Sequence, residues 1–229
     1  MSDEAPADPK PSSTVVPLRD GADGPEVLLV QRLKRDGTPG VWVFPGGKVE
    51  PGDGRIEGVS EREIIEVAKR TGVRETHEEA GFLLDPAKLG LIARWITPPI
   101  SPRRFDTWFF ATHVEADIEI QVDGSEMRDH QWVKPQAALA ARNEGQLDIA
   151  PPTFVTIHWL LGHGSVGDAL GALVSETVPA YEPNICRQEG GAIILYPGDA
   201  GYEVSDPSRP GARNRLHHSK NTLRYERSA

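Results

Sequence analysis

The segment Arg74-Glu75-Thr76-His77-Glu78-Glu79-Ala80-Gly81-Phe82 gathers three carboxylates within five positions. On a helix, positions 75, 78 and 79 follow i, i+3, i+4 spacing and share one face. Carboxylates so placed repel one another, and only Arg74 stands near them as a cation. A solvated face usually interleaves Lys or Arg; the sharper reading is that hard divalent cations with oxygen ligands relieve the repulsion. Gly81 is the residue type that closes helices. Upstream, Phe44-Pro45-Gly46-Gly47-Lys48-Val49-Glu50-Pro51-Gly52-Asp53 runs an apolar strand into a glycine loop. Missing side chains there let backbone carbonyls and amides approach a metal or a phosphate. Alone, Glu-x-x-Glu-Glu is most often an acidic helix end; with the glycine loop it becomes a floor for a metal–polyphosphate complex.

The elements that must position these residues follow from the pattern around them. Residues 13–18 and 26–33 are apolar runs separated by Asp20-Gly21-Ala22-Asp23-Gly24-Pro25, a hairpin signal. Residues 41–44 form a third short strand. The stretch 57–82 is rich in helix formers and interrupted at Thr71-Gly72. Residues 89–96 and 105–114, β-branched and aromatic, read as strands joined by the stiff loop Thr97-Pro98-Pro99-Ile100-Ser101-Pro102-Arg103. Strand alternation puts Arg104, Asp106, Trp108 and Phe110 on one face and Phe105, Thr107 and Phe109 on the other. Trp132-Val133 ends a further strand. Helices are expected over 135–142, 152–162 and 165–176, and a hairpin over 191–204 turning at Pro197-Gly198-Asp199. The sum is an α/β chain with a mixed sheet and helices on its faces, not a regular βαβ series.

Composition bounds the function classes. The chain has 229 residues and a net charge of −9. An acidic surface gives no general attraction to nucleic acid or anionic membranes. No apolar run is long enough to span a bilayer, and the start Met1-Ser2-Asp3-Glu4-Ala5-Pro6 has no apolar signal core. The single Cys186 has no partner for an internal disulfide, so the expected setting is reducing and cytoplasmic. Cys186 itself reads as a buried apolar residue rather than a nucleophile. Residues 1–12, with three prolines, read as a flexible tail.

The second half of the chemical segment, Arg74-Glu75-Thr76-x-Glu78-Glu79-x-Gly81-Phe82, resembles the box of the Nudix hydrolase family, with Phe44-Pro45-Gly46-Gly47 as its usual approach. The first half departs from that pattern. Beyond Gly47 and five intervening residues stands Asp53 instead of Glu, and Arg74 arrives 13 residues late. We take Gly47 and Asp53 as the loop and about 54–61 as an insertion, with Glu66 the alternative acidic position. An expanded box of this kind is similar to the subgroup containing the peroxisomal coenzyme-A diphosphatases. Trp95-x-Thr97-Pro98, Arg104-Phe105-Asp106-Thr107, Glu126-x5-Trp132 and Pro151-Pro152-x-Phe154 support that placement. The resemblance covers about 13–160.

It implies a Nudix-type α/β/α sandwich over 13–162, with a C-terminal helical and hairpin extension over 163–229 packed on the same domain. It implies hydrolysis of the pyrophosphate in a nucleoside diphosphate conjugate with Mg²⁺ or Mn²⁺, the best guess being coenzyme A or acyl-CoA. ADP-ribose, nucleotide sugars and a non-catalytic nucleotide-binding module are the alternatives. Glu75 and Glu79 would be the main metal ligands, Glu78 a ligand or water activator, and a carbonyl of Gly46 or Gly47 would assist. Arg74 would orient the carboxylates. Glu126 is either a further ligand, the general base, or a plain loop carboxylate. Arg103 or Arg104 would bind substrate phosphate. Trp95 and Trp108 read as core and His77 as exposed. The family often forms dimers, which allows a homodimer; no nucleic-acid or membrane partner is expected.

Residues 207–229 carry a net charge of +5. His217-His218 lies in this stretch, for which a solvated tail is the plain reading; the sharper one is that it folds back on an acidic surface. Truncation after residue 206 should then lower the thermal unfolding midpoint, and an unchanged melting profile would reject the idea.

Overall fold

The computed structural model describes residues 7–34, 36–173 and 177–228. Strand β1 (Lys10–Gly21) turns at Ala22-Asp23 into β2 (Gly24–Leu33), the expected hairpin. The strand begins earlier than the flexible-tail reading allows. Lys10, Pro11 and Ser12 already pair in parallel with Phe105, Asp106 and Thr107 of β6 (Phe105–His113). The composition misleads because the strand's first half is built from short polar side chains. Ser12 and Ser13 are buried, and the Ser12 and Thr107 hydroxyls share a 2.7 Å bond across the ladder. Residues 1–6 of the expected tail lie outside the described residues.

Strand β1 is the hub of a mixed eight-stranded sheet. Opposite β6, its first half pairs with β4 (Gly46–Lys48) and its second half with β2. Strands β3 (Pro39–Val43) and β7 (Met127–Val133) border β2. Beyond β6 come β5 (Gly90–Ile96), antiparallel, and the two-residue β8 (Ala180–Tyr181), parallel. Alternation along β1 and β6 divides the core as the sequence implies. Val15, Trp108 and Phe110 pack with Ala68 and Val73 of α1 (Glu61–Ala80) on one face. Val16, Leu18, Phe109 and Ala111 pack on the other with Ala138 of α2 (Pro135–Asn143), Phe154 and Ile157 of α3 (Pro151–Leu160), and Ala169 of α4 (Val166–Ala172). Residues 174–176, expected to end α4, lie outside the described residues.

Helix α1 carries the chemical segment. Ser60 and Glu63 form a reciprocal capping box at its start, and Gly81 closes it at φ 82°. The expected break at Thr71-Gly72 does not occur. Gly72 is there for contact: a Cβ would meet Val15 Cγ2 at 2.7 Å and Ser13 Oγ at 2.9 Å. Its helix-propensity cost is exchanged for close approach of α1 to β1.

The C-terminal extension is a second sheet in the order β12-β11-β10-β9, all antiparallel. Its strands are β9 (Asn184–Gln188), β10 (Gly191–Leu195), β11 (Asn214–Ser219) and β12 (Leu223–Arg227). Two expectations are corrected here. The tight turn is at Glu189-Gly190, while Pro197-Gly198 opens the long connection from β10 to β11. The basic stretch is not a solvated tail, because Leu216 and Leu223 enter the main core and His217-His218 lies within β11. The connection is pinned by Asp199 and Arg215, both buried, through bonds of 2.6 and 2.7 Å. Asp199 also accepts from the Gly201 and Asn214 amides. Burial pushes its carboxyl pKa up, but Arg215 and those amides outweigh that and hold it at about 2.

That value lies below the ordinary one, so the ionised Asp199 stabilises the fold at neutral pH and the contribution is lost as pH falls from about 4 towards 2. Asp199→Asn should cost about 3 kcal/mol at pH 7 by leaving Arg215 buried without its counter-charge. That corresponds to roughly 6–12 °C in melting midpoint. The gap between variant and wild type should narrow at pH 3; melts with an equal gap at both pH values would contradict this account.

Candidate active site

Arg74, in the C-terminal half of α1, organises the loop below it. Its Nε and Nη2 donate to the two oxygens of Asp53 at 2.9 Å each, a bidentate fork. Nη2 also donates to the Lys48 carbonyl at 3.0 Å, and Nη1 to Glu75 at 3.0 Å and Glu78 at 2.8 Å. Asp53 accepts further bonds from the Thr71 hydroxyl and the Glu50 amide, both 2.9 Å. Burial works against its charge, yet Arg74, the Glu50 amide and Thr71 together lower its pKa. The loop is therefore stapled to the helix by Asp53. Glu66, the alternative for this position, instead makes an exposed pair with Lys69 at 3.3 Å.

Glu75, Glu78 and Glu79 differ in environment although they share a helix face. Glu79 is 3% exposed and accepts from the Gly46 amide at 2.8 Å and from Arg32 at 3.4 Å. Burial raises its pKa to about 8; the Gly46 amide and Arg32 oppose that rise, and Glu75 and Glu126 add to it. Burial also raises Glu75, Arg74 opposes the shift, and repulsion from Glu78 and Glu126 reinforces it. Glu78 is exposed. Strand β4 crosses directly over Glu75: a Cβ on Gly47 would collide with the Glu75 carboxylate, so a side chain there would push that carboxylate out of its present position.

Glu126 precedes β7 and faces the same cleft. It is presented by a turn in which Asp123 accepts the amides of Ser125, Glu126 and Met127. The cleft holds about 400 Å³ and brings together Gly46, Gly47, Arg74, Glu75, Glu78, Glu79 and Glu126. Arg103 is exposed in the loop before β6, and Arg104 spends its donors on the Thr97 and Ala7 carbonyls and on Glu182. Neither lines the cleft, contrary to the expectation of a phosphate contact there. The cations that do are Arg32, Lys48 and Arg74. Sequence reasoning missed Arg32, whose only signal was its place at the end of β2, opposite Met127 and next to the Glu126 turn. Trp95 and Trp108 are core and His77 is exposed, as expected; Cys186 is half-buried on β9 rather than fully buried.

The donor set suits hard divalent cations: four carboxylates, glycine carbonyls and no soft ligand. Among the described residues no three His, Cys, Asp or Glu side chains converge on one point. Glu75 and Glu78 turn to Arg74, and Glu79 to the Gly46 amide. Burial above all, and in smaller part repulsion among the carboxylates, raises the pKa of Glu75 and Glu79, and a bound cation would offset both.

Residues 9–153, well over half the chain, match the NUDIX domain, and the protein belongs to the Nudix family. It is a Nudix pyrophosphohydrolase. It is 24% identical to an acyl-coenzyme A diphosphatase of Xenopus laevis, across 86% of this chain and 76% of that protein. It is 30% identical to the Homo sapiens protein described in the same words, over 49% of this chain; the match spans only 32% of the human protein. A NUDIX hydrolase from Alicyclobacillus acidocaldarius, known from its crystal structure, superposes with a TM-score of 0.64 at 26% identity, over 76% of this chain and 98% of that one. Among the described residues no helix is long and apolar enough to cross a membrane.

Because the folded-state pKa of Glu79 is raised, its burial costs no stability below the ordinary carboxylate value near 4.5 and becomes increasingly unfavourable as pH rises towards 8. Without divalent cation, Glu79→Gln should therefore melt above wild type at pH 8, by about 2 kcal/mol or roughly 4–8 °C. The advantage should vanish near pH 5. A variant less stable than wild type at pH 8 would show that the charge is not a burden on the fold.

Proposed function

We propose that the protein hydrolyses the pyrophosphate of coenzyme A or acyl-CoA with the help of Mg²⁺ or Mn²⁺. The observation that carries the substrate reading is the reach of the likeness to the Xenopus laevis acyl-coenzyme A diphosphatase. It takes in 86% of this chain, more than the NUDIX match over 9–153, and so extends into the C-terminal sheet.

In this reading Glu75 and Glu79 hold the cation, Glu78 is a further ligand or activates water, and a Gly46 or Gly47 carbonyl assists. The bound ion supplies positive charge against the pyrophosphate oxygens. Arg74 keeps Glu75 and Glu78 oriented and Asp53 keeps Arg74 in place. Lys48 and Arg32 offer N–H donors to phosphate oxygens, a role Arg103 and Arg104 are not placed to fill. Glu126, held by the Asp123 turn on the far wall, is positioned to take the proton of the attacking water. Water adds to one phosphorus, one P–O bond of the bridge breaks, and each product leaves with one of the two phosphates of the former pyrophosphate.

Incubation of coenzyme A with the protein and Mg²⁺ should yield 3′,5′-ADP and 4′-phosphopantetheine by mass detection. Glu75→Gln should reduce turnover by about 100-fold or more. AMP formed from ADP-ribose with coenzyme A left intact would overturn the substrate reading; a near-wild-type Glu75→Gln would overturn the ligand assignment.

A further inference from the structure

A second cavity of about 310 Å³ adjoins the reaction cleft. Thr14, Phe105 and Thr107 line both, so the two spaces meet along the start of β6. Their chemistry differs sharply. No charged residue lines the second cavity, whose walls are Trp95, Phe109, Pro151 and Pro152 from the family domain and Pro183, Ile185, Ile194 and Tyr196 from the extension. These last four lie beyond the NUDIX match. Two polar atoms in this wall residue set have no hydrogen-bond partner among the described residues: Trp95 Nε1 and the Tyr196 hydroxyl. Trp95 is 4% exposed and Tyr196 is fully buried, and neither of these two atoms is open to the cavity. They belong to a packed aromatic layer behind the wall, where Trp95 stacks on Tyr181 and both meet Tyr196 edge-on.

We propose that this cavity seats the pantetheine arm of coenzyme A, an assignment that rests on the substrate reading above. The arm is neutral throughout. It leaves the pyrophosphate through a CH2 group and a carbon bearing two methyl groups, and continues through a hydroxyl-bearing carbon and two amides. A pocket that opens from the cleft receives the part of the substrate next to the phosphates, and the methyl-bearing carbon matches its aliphatic and aromatic walls. The hydroxyls of Thr14, Thr97 and Thr107 in the lining offer the amides hydrogen-bond partners. The other end of coenzyme A carries a 3′-phosphate, which this uncharged cavity would desolvate without compensation. The polar cleft, with Arg32 and Lys48, is the place for that end. The C-terminal sheet thereby acquires a role as one wall of the specificity pocket.

Ile185 is half-buried on β9 and projects into the cavity wall, so Ile185→Trp should fill it. With coenzyme A and Mg²⁺, the KM of this variant should rise about tenfold with kcat little changed. Free pantetheine, which has no phosphate, should inhibit wild type competitively and the variant far more weakly. Ile185→Phe fills less of the cavity; it should raise KM several-fold, and it decides the matter should Ile185→Trp fail to fold. If wild type does not cleave coenzyme A, the substrate reading fails. If wild type cleaves it but Ile185→Phe and a folded Ile185→Trp keep the wild-type KM and pantetheine inhibition, the pocket assignment alone fails. A raised KM for long-chain acyl-CoA with an unchanged KM for coenzyme A would give the cavity to the acyl chain and overturn the pantetheine assignment.

Discussion

Asp53 and Arg74 meet through two parallel N–H···O bonds of 2.9 Å, and most of the cleft's geometry depends on that fork. Asp53 comes from the glycine loop and Arg74 from α1, so the pair fixes the height of the loop above the helix. The remaining nitrogen of the guanidinium then bridges Glu75 and Glu78. One cation thus performs two tasks: it closes the loop, and it keeps neighbouring carboxylates from splaying apart. The shorter acid at position 53 works because it is buried against the helix, where the Thr71 hydroxyl and the Glu50 amide complete its coordination. Lysine in place of Arg74 would carry the charge but not the fork.

The cleft is built from groups that the fold alone would not favour. Glu79 is buried with one amide and a distant guanidinium as partners. Glu75 sits under Gly47, where any side chain would displace its carboxylate. Gly72 gives up helix propensity so that α1 can lie close on β1. Each of these weakens the scaffold locally and sharpens the site, which is the usual direction of trade at a working centre. The large sheet supplies the compensation, with β1 paired along both edges and buried on both faces.

The chemical segment was the most legible part of the sequence because helical spacing and residue type agree there: Glu75, Glu78 and Glu79 fall on one face and line one cleft. Alternation along β6 was legible for the same reason, with Trp108 and Phe110 packed against α1 and Phe109 against the opposite layer. The failures have physical causes. Thr71-Gly72 looked like a break because propensity cannot register a close helix–strand contact. Lys10–Ser12 looked like a tail because a buried serine pair across a ladder has no hydrophobic signature. Arg104 looked like a phosphate ligand, but its donors had nearer carbonyls to satisfy. The extension resisted reading because its long connection is pinned by a pair 16 residues apart, Asp199 with Arg215, that no local pattern announces.

Phe105 and Thr107 stand in the walls of both cavities, one rimmed by carboxylates and cations, the other uncharged. The combined trough therefore has a direction. A conjugate with unlike ends fits it one way round, and reversing the molecule would press a charged group into the uncharged half. Such a polarity fixes which of two neighbouring phosphorus atoms lies nearer Glu126, and with it which of the bridge's two P–O bonds breaks. Regiochemistry would then be decided not by the acidic helix but by a junction of two side chains on β6, with the C-terminal sheet standing behind it.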